Sequence, residues 1–373
     1  MSKLDELIAE LCPDGVEYVK LSSICDIKRG ERVTKSQLIE DGIYPVFSGG
    51  VSPMGYFNKF NREENTITIA QYGTAGYVNW IDEKFWANDV CYSLFPKEVI
   101  NKRYLYFVLV NLQDYIYTLR IDAVPAHLPV DRLGNIKIPL PPLAVQQEIV
   151  RILDNFTELT AELTAELTAE LTARRKQYEY YRDLLMTFDD DTPEMKLKDV
   201  CQLSSGGDVP KGHWAKEKTE KYKVPIFSNG VDNDGLYGYT DVPRITEPCV
   251  TIAGRGAGCG NAVLRKEPFF PIIRLISAVP KEIINVKFLY YYIQTIEFKI
   301  PKSGIPQLTV PMVSEYTIPV PPLKEQERIV AILDRFDALC NDLTSGIPAE
   351  IEARQKQYEY YRDKLLTFKE AKA

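Results

Sequence analysis

Apolar residues recur at three-and-four spacing along two stretches of this chain. After Pro141-Pro142 come Ile149, Ile152, Leu153, Phe156 and Leu159, one face of an amphipathic helix. The paired prolines, repeated at Pro321-Pro322, suit a first helical turn, where a missing N–H costs no hydrogen bond. No glycine or proline interrupts residues 143–188. About 45 residues at ~1.5 Å each make a rod of roughly 65 Å. A helix that long is stable only against a partner. Elsewhere the pattern is different. "NTITIAQYG", "VCYSLFP", "CVTIAGRGA" and "FFPIIRLISAVP" are short β-type runs bounded by Gly, Pro and Asn, and "KRYLYFVLVNLQDYIYTL" and "VKFLYYYIQTIEF" read as helices.

The chain is written twice. "PLPPLAVQQEIVRILDNFTEL" (139–159) matches "PVPPLKEQERIVAILDRFDAL" (319–339) at 12 of 21 positions, and "RRKQYEYYRDLLMTF" (174–188) matches "RQKQYEYYRDKLLTF" (354–368) at 12 of 15, both at an offset of 180. "YPVFSGGV" (44–51) faces "VPIFSNGV" (224–231), "ITIAQYGTAG" (67–76) faces "VTIAGRGAGCG" (250–260), and "AHLPV" (126–130) faces "PQLTV" (306–310). The predicted class is α+β. Two small α/β globules, residues 1–140 and 191–320, are separated by two long helices, residues 141–190 and 321–373, packed antiparallel as a coiled coil. A pseudo-twofold between the halves makes the chain cyclic, with the end of the second helix beside the start of the first globule. Gly346 and Pro348 predict a kink or short break near residues 344–348.

Within the first helix, Thr-Ala-Glu-Leu is spelled three times, from Thr160 to Leu171. Four residues overshoot a 3.6-residue turn by about 40°, so the leucine ladder winds around the helix. Leu159, Leu163, Leu167 and Leu171 correspond to Leu339, Leu343, Ile347 and Ile351. Glu158, Glu162, Glu166 and Glu170 form a like-charge row, read as a solvated face.

At 373 residues the chain is long enough for two domains plus extras, and 45% apolar residues predict a folded protein. With no apolar run near ~18 residues and no leader pattern, a cytoplasmic protein without membrane contact is expected. Seven cysteines without a C-x-x-C pair and only two histidines argue against structural zinc. "IAGRGAGCG" does not fit G-x-G-x-x-G, and "SGGDVPKGH" lacks the G-K-[ST] of a phosphate loop. No nucleophile-plus-base set stands out, so a non-catalytic chain is expected. The net charge of −7 argues mildly against nucleic-acid binding, but the acid is concentrated on the first helix, and residues 191–320 are net positive.

Basic and amide residues beside glycines mark candidate DNA contacts, because such loops reach phosphates and base edges. In the first globule these are Lys28, Arg29, Ser48, Gln71, Tyr72 and His127; in the second, Lys211, Ser228, Asn229, Arg255, Lys302 and Gln307. Arg255 lies between two glycines, and its counterpart is near Tyr72. The "KQYEYYRD" shared by both helices suggests two copies of one partner, with Tyr178, Tyr180, Tyr181, Arg182, Tyr358, Tyr360, Tyr361 and Arg362 as candidate anchors.

Two variable blocks alternating with near-identical helices that begin "IPLPPLxxQxxIVxILDxF" resemble the specificity subunit of type I restriction–modification enzymes. The repeat in the first helix is itself seen in some members. The resemblance implies two target recognition domains, each reading one half of an asymmetric split site in double-stranded DNA. It implies helices that set the spacing and dock two modification subunits, with restriction subunits joining the assembly. S-adenosylmethionine, ATP and Mg would then belong to the partner subunits, with no cofactor in this chain. Two alternatives remain at this level. A coiled-coil scaffold whose blocks bind proteins would give no sequence-specific DNA binding. A methyltransferase-associated enzyme subunit of another restriction class would transfer methyl groups unaided.

Overall fold

The computed structural model describes residues 2–122, 124–300, 306–341 and 346–371. The chain forms two compact units, one of Met1–Glu166 with Ile351–Ala373, the other of Leu167–Glu350. The division falls inside the Thr-Ala-Glu-Leu repeat. Each unit therefore contains one globule, the first part of the helical segment that succeeds it, and the last part of the other.

The first unit has a four-stranded antiparallel sheet in the order Cys25–Arg29, Cys91–Pro96, Thr66–Ala70, Val78–Ile81. A smaller sheet sets Tyr44–Phe47 between Tyr56–Phe57 and Trp86–Ala87. The second unit repeats the larger sheet as Cys201–Ser205, Ile276–Pro280, Cys249–Ile252, Ala262–Arg265. Both central strands, TITIA and CVTI, are buried along their whole length, which explains their near-continuous apolar character. In each unit a short antiparallel pair ties the beginning of the globule to its end: Glu17–Lys20 with Lys137–Leu140, and Glu194–Lys196 with Thr317–Pro319. "KRYLYFVLVNLQDYIYTL" forms two helices, Lys102–Asn111 and Gln113–Thr118, where one was expected. The Val286–Ile293 helix ends before the "QTIEF" that was expected to continue it.

The first long helix runs unbroken from Leu143 to Leu185, 43 residues. The second segment is two helices, Leu323–Asn341 and Ile347–Leu366. The new helix starts within the stretch where Gly346 and Pro348 predict a break, and residues 342–345 lie outside the described residues. In the first unit Phe156 packs on Tyr361 with ring centroids 5.9 Å apart, and Thr157 Oγ1 lies 3.0 Å from Tyr358 Oη. In the second unit Tyr181 stacks on Phe336 at 5.5 Å. Its Tyr178 lies near Asp337, and its Arg175 and Arg174 near Cys340. As numbers rise on one helix they fall on the other, so both pairs are antiparallel. Glu158, Glu162, Glu166 and Glu170 are exposed, while Leu163, Leu167 and Leu171 are half-buried.

Closure of the chain is visible inside the first unit. Val16 N donates to Lys369 O and Ala371 N to Val16 O, both at 2.9 Å, and Tyr18 Oη donates to Phe368 O at 3.0 Å. Leu366 shares a core with Leu4, Val16 and Leu21. The repeated prolines and glutamine also acquire a reason. Gln146 is fully buried; its amide donates to Pro141 O at 2.7 Å and Val99 O at 3.3 Å, and its Oε1 accepts from Asn101 N at 2.7 Å. Gln326 makes the same three bonds, to Pro321 O at 2.8 Å, Ile283 O at 3.0 Å and from Asn285 N at 2.7 Å. Asn101 and Asn285 in turn cap the next helix of each globule. Each glutamine thus locks a globule to the first turn of its long helix. Gln326→Ala leaves the Asn285 N–H without its partner and is expected to destabilise the second unit by about 1–3 kcal/mol. A lowered midpoint for that unit in urea unfolding, with Gln326→Glu only partly restoring it, is the expected readout; an unchanged midpoint counts against the brace.

Candidate nucleic-acid interface

In the first unit the central strand Thr66–Ala70 runs into a turn. Gln71 N donates to Val90 O and Gln71 O accepts from Leu128 N, both at 2.9 Å, so residues 127–128 lie along the turn. Tyr72 and His127 are bridge partners, and their rings stack at 5.5 Å with planes 23° apart. Gly73 is left-handed (φ +71°), and a Cβ there would stand 2.5 Å from Gly49 O. Thr74 donates through both N and Oγ1 to Gly49 O at 2.8 Å, which draws the Ser48–Gly49 loop against the turn. The exposed Arg29 places its guanidinium 5.9 Å from the ring centroid of Tyr92, whose hydroxyl donates to Leu128 O at 3.2 Å. Burial raises the Tyr92 hydroxyl pKa, with Arg29 and Gln71 pulling it down.

The second unit builds the same frame with other chemistry. Arg255 and Gln307 are bridge partners, and Leu308 N donates to Gly254 O at 2.9 Å. Arg255 therefore stands where Tyr72 does, and Gln307 where His127 does. Gly256 is left-handed (φ +87°), like Gly73, and donates to Pro306 O. Asn229 accepts from Gly254 N at 2.8 Å through Oδ1 and donates its amide to Ile273 O. Ser205, Arg274, Gln307 and Thr309 line a cleft of about 240 Å³ beside this turn.

The structure joins Arg29, Ser48, Gln71, Tyr72 and His127 in one unit, and Ser228, Asn229, Arg255 and Gln307 in the other. Gln71 is nearly fully buried, so its side chain supports Tyr92 rather than facing solvent. Lys28 points to the opposite face of its strand from Arg29, with Nζ 5.1 Å from the Phe95 ring centroid. Lys211 sits on a separate exposed turn. Lys302 lies outside the described residues.

Arg274 escaped sequence reading. It is exposed, with φ +60°, and comes directly after Ile273 with φ +52°. A β-branched residue in the left-handed region is a strained backbone. Bonds from Ile273 N to Gly207 O and from Arg274 N to Gly206 O hold the pair turned outward. "PIIRL" carries no Gly or Asn to announce a turn, so it reads as plain strand.

On the helices, the shared motif divides in two. Tyr178 is buried and Tyr358 half-buried, with Arg182 and Arg362 each 5.9 Å over those rings. Arg362 also donates to Asn111 Oδ1 at 3.0 Å. These four pin each helix end to its own unit and leave little surface for a partner. Tyr180 and Tyr360 are 65% and 62% exposed, each edge-on to the next tyrosine. Leu143, Leu159 and Tyr181 are exposed too, as are their counterparts Leu323, Leu339 and Tyr361. In the first unit Phe156, Leu159, Leu163, Tyr358 and Tyr361 line a cleft of about 480 Å³.

Burial pushes the thiols of Cys25, Cys91, Cys201 and Cys249 up to about 12, so they stay protonated and poor as nucleophiles. Among the described residues no three of His, Cys, Asp and Glu converge as a metal cage, and no helix is long and apolar enough to cross a membrane.

The family model described as type I restriction modification DNA specificity domain matches residues 13–173 and again 190–353. A protein named as a type I specificity subunit of Mycoplasma pneumoniae is 33% identical over 94% of this chain and 97% of its own length. A protein named as a type I restriction enzyme specificity subunit of Haemophilus influenzae is 34% identical over 95% of this chain and 96% of its own. A solved structure from work on complex assembly and conformational transition of the type I R-M system superposes with a TM-score of 0.69 at 18% identity, over 96% of this chain and 98% of that one.

Proposed function

Because the chain belongs to the type I restriction–modification DNA specificity family, we propose that each of its units reads one half of a split, asymmetric site in double-stranded DNA. One observation carries this reading. The same bridge at the same place holds Tyr72 and His127 in one unit but Arg255 and Gln307 in the other. A kept backbone frame with exchanged donors, acceptors and rings is what two readers of different sequences require. The low net charge is compatible with it, since other subunits also grip the phosphates.

The helices carry the rest of the proposal. They set the distance between half-sites, and their exposed leucines and tyrosines dock two modification subunits, to which restriction subunits add. S-adenosylmethionine, ATP and Mg belong to those partners, and the complex works in the cytoplasm. This chain's own residues position DNA and move no atoms of it. The purified chain alone is expected to transfer no methyl group from labelled S-adenosylmethionine.

Arg255 tests the reading most directly. Its neighbour Gly256 has open space where a Cβ would stand, so backbone and guanidinium are both free to approach a groove. Arg255→Ala, in complex with modification subunits, is expected to weaken binding to the cognate duplex by ~1–3 kcal/mol and to relax preference at one base of one half-site. Equal affinity for the cognate duplex and for every single-base variant removes Arg255 from the interface.

A further inference from the structure

The duplicated globules differ by a reciprocal exchange that sequence alignment alone does not reveal. In the first unit Arg62 bridges Phe85, and Ile81 pairs with Thr66. In the second, Ile245 bridges Phe269, and Arg265 pairs with Cys249. Phe85 and Phe269 are equivalent, as are Thr66 and Cys249. Arginine and isoleucine have traded places, and each globule keeps one guanidinium in this layer. Both are sheltered, Arg62 half-buried and Arg265 only 6% exposed.

Their contacts converge. Arg62 Nε donates to Ser93 Oγ at 2.8 Å and its NH2 to Arg29 O at 2.8 Å, with the guanidinium 5.6 Å from the Phe95 ring centroid. Arg265 Nε donates to Thr251 Oγ1 at 3.1 Å and its NH2 to Asp234 O at 2.6 Å, with the guanidinium 3.6 Å from the Phe227 ring centroid. Each arginine thus stacks on an aromatic ring and donates to a hydroxyl of the central sheet; Arg62 also donates to Asn61 O at 2.7 Å and to the carbonyl at the end of the Cys25–Arg29 strand, Arg265 to the carbonyl of Asp234 in a turn. Arg29, whose carbonyl is gripped in the first unit, lies over Tyr92 beside the Tyr72–His127 stack. Asp234 precedes Gly235, whose carbonyl accepts from Ser228 N at 2.8 Å, next to Asn229 and Gly254. Asn233 and Asp234 are both left-handed (φ +48° and +51°), a geometry that needs holding. The exchange also leaves a trace. Ser93 has its arginine, but its counterpart Ser277 has a buried hydroxyl with no partner among the described residues.

We propose that Arg62 and Arg265 are equivalent positioning residues for sequence reading, each fixing a backbone carbonyl beside the reading side chains of its own unit, Arg29 in the first and Asp234 in the second, without touching DNA. The inference rests on the proposed DNA-reading function. What matters is a forked donor at this point of the layer, whichever strand supplies it. Burial lowers the Arg265 pKa only to about 10, so the fork stays charged at neutral pH.

The test uses the full complex with modification subunits, on duplexes in which each base of either half-site is varied. Arg265→Ile is expected to cut discrimination at the second unit's half-site at least tenfold. Discrimination at the other half-site and the number of modification subunits should be unchanged. Adding Ile245→Arg recreates the first unit's arrangement, offers Ser277 a donor, and should restore most of the loss. Wild-type discrimination by Arg265→Ile overturns the proposal, as does an equal loss at both half-sites. So does a double variant that melts like the wild type yet fails to discriminate. If Arg265→Ile does not fold, Arg265→Lys decides. One unforked donor should give intermediate discrimination, and a wild-type value defeats the idea. A wild-type complex without sequence preference would instead sink the DNA-reading function itself.

Discussion

Deleting residues 160–163 is expected to shorten the unread gap between the two half-sites by about one base pair while leaving both half-sites as they were. The deleted word is one of three copies, so the remaining helix keeps the same sequence pattern. Thr-Ala-Glu-Leu contains helix formers, and its glutamates face solvent while its leucines are half-buried. Loss of one word therefore shortens the helix by ~6 Å and rotates its C-terminal part by about 40°. One base pair is ~3.4 Å of DNA axis, with roughly a tenth of a turn of twist, so the two steps are of similar size. The two units divide at Glu166–Leu167, inside the repeat, so neither reading turn is touched. Methylated bases mapped across the genome of a strain carrying the deletion give the answer. A stable variant protein that modifies the original site with the original gap defeats the ruler.

A complex built on Tyr180→Glu should hold one modification subunit in place of two, and one built on Tyr180→Glu with Tyr360→Glu should hold none. These tyrosines project from the same motif, are exposed to nearly the same degree, and sit beside Tyr181 and Tyr361. Exposed aromatics repeated at matching positions fit two copies of one partner, and interface tyrosines are common hot spots, worth ~2 kcal/mol or more. That is about a 30-fold loss of affinity per site. Arg182 and Tyr178 are unsuitable for this test, because they hold the helix to its own unit and their loss would confuse docking with folding. Light scattering of the purified complexes counts the subunits. Two subunits bound at wild-type affinity to a folded double variant would exclude these tyrosines as anchors.

Several elements of the site are legible in the sequence. The frame shared by Tyr72–His127 and Arg255–Gln307 is apparent on aligning "IAQYGTAG" with "IAGRGAGCG" and "AHLPV" with "PQLTV" at nearly the same offset. Arg274 is not legible, because a left-handed Ile-Arg pair is imposed by Gly206, Gly207 and Asn229, which are distant along the chain. The split of "KQYEYYRD" into inward and outward residues is only half legible. Helical spacing puts Tyr178 and Arg182 on one face, but which face meets the globule depends on where Asn111 and Phe336 lie.

By itself the sequence determined the duplication, the two long helices, the alternation of globule and helix, and hence the family. All of these are periodic or repeated features, and periodicity reports local backbone geometry directly. Only the tertiary structure decided that Gln146 and Gln326 are buried braces and that residues 369–371 pair with Val16. It alone decided that an arginine and an isoleucine exchange places between Arg62, Ile81 and Ile245, Arg265. Each of these depends on segments separated by tens to hundreds of residues meeting across a sheet or a helix end. Closing such loops is driven by the burial of the whole core, so no local window of residues records which partners will meet.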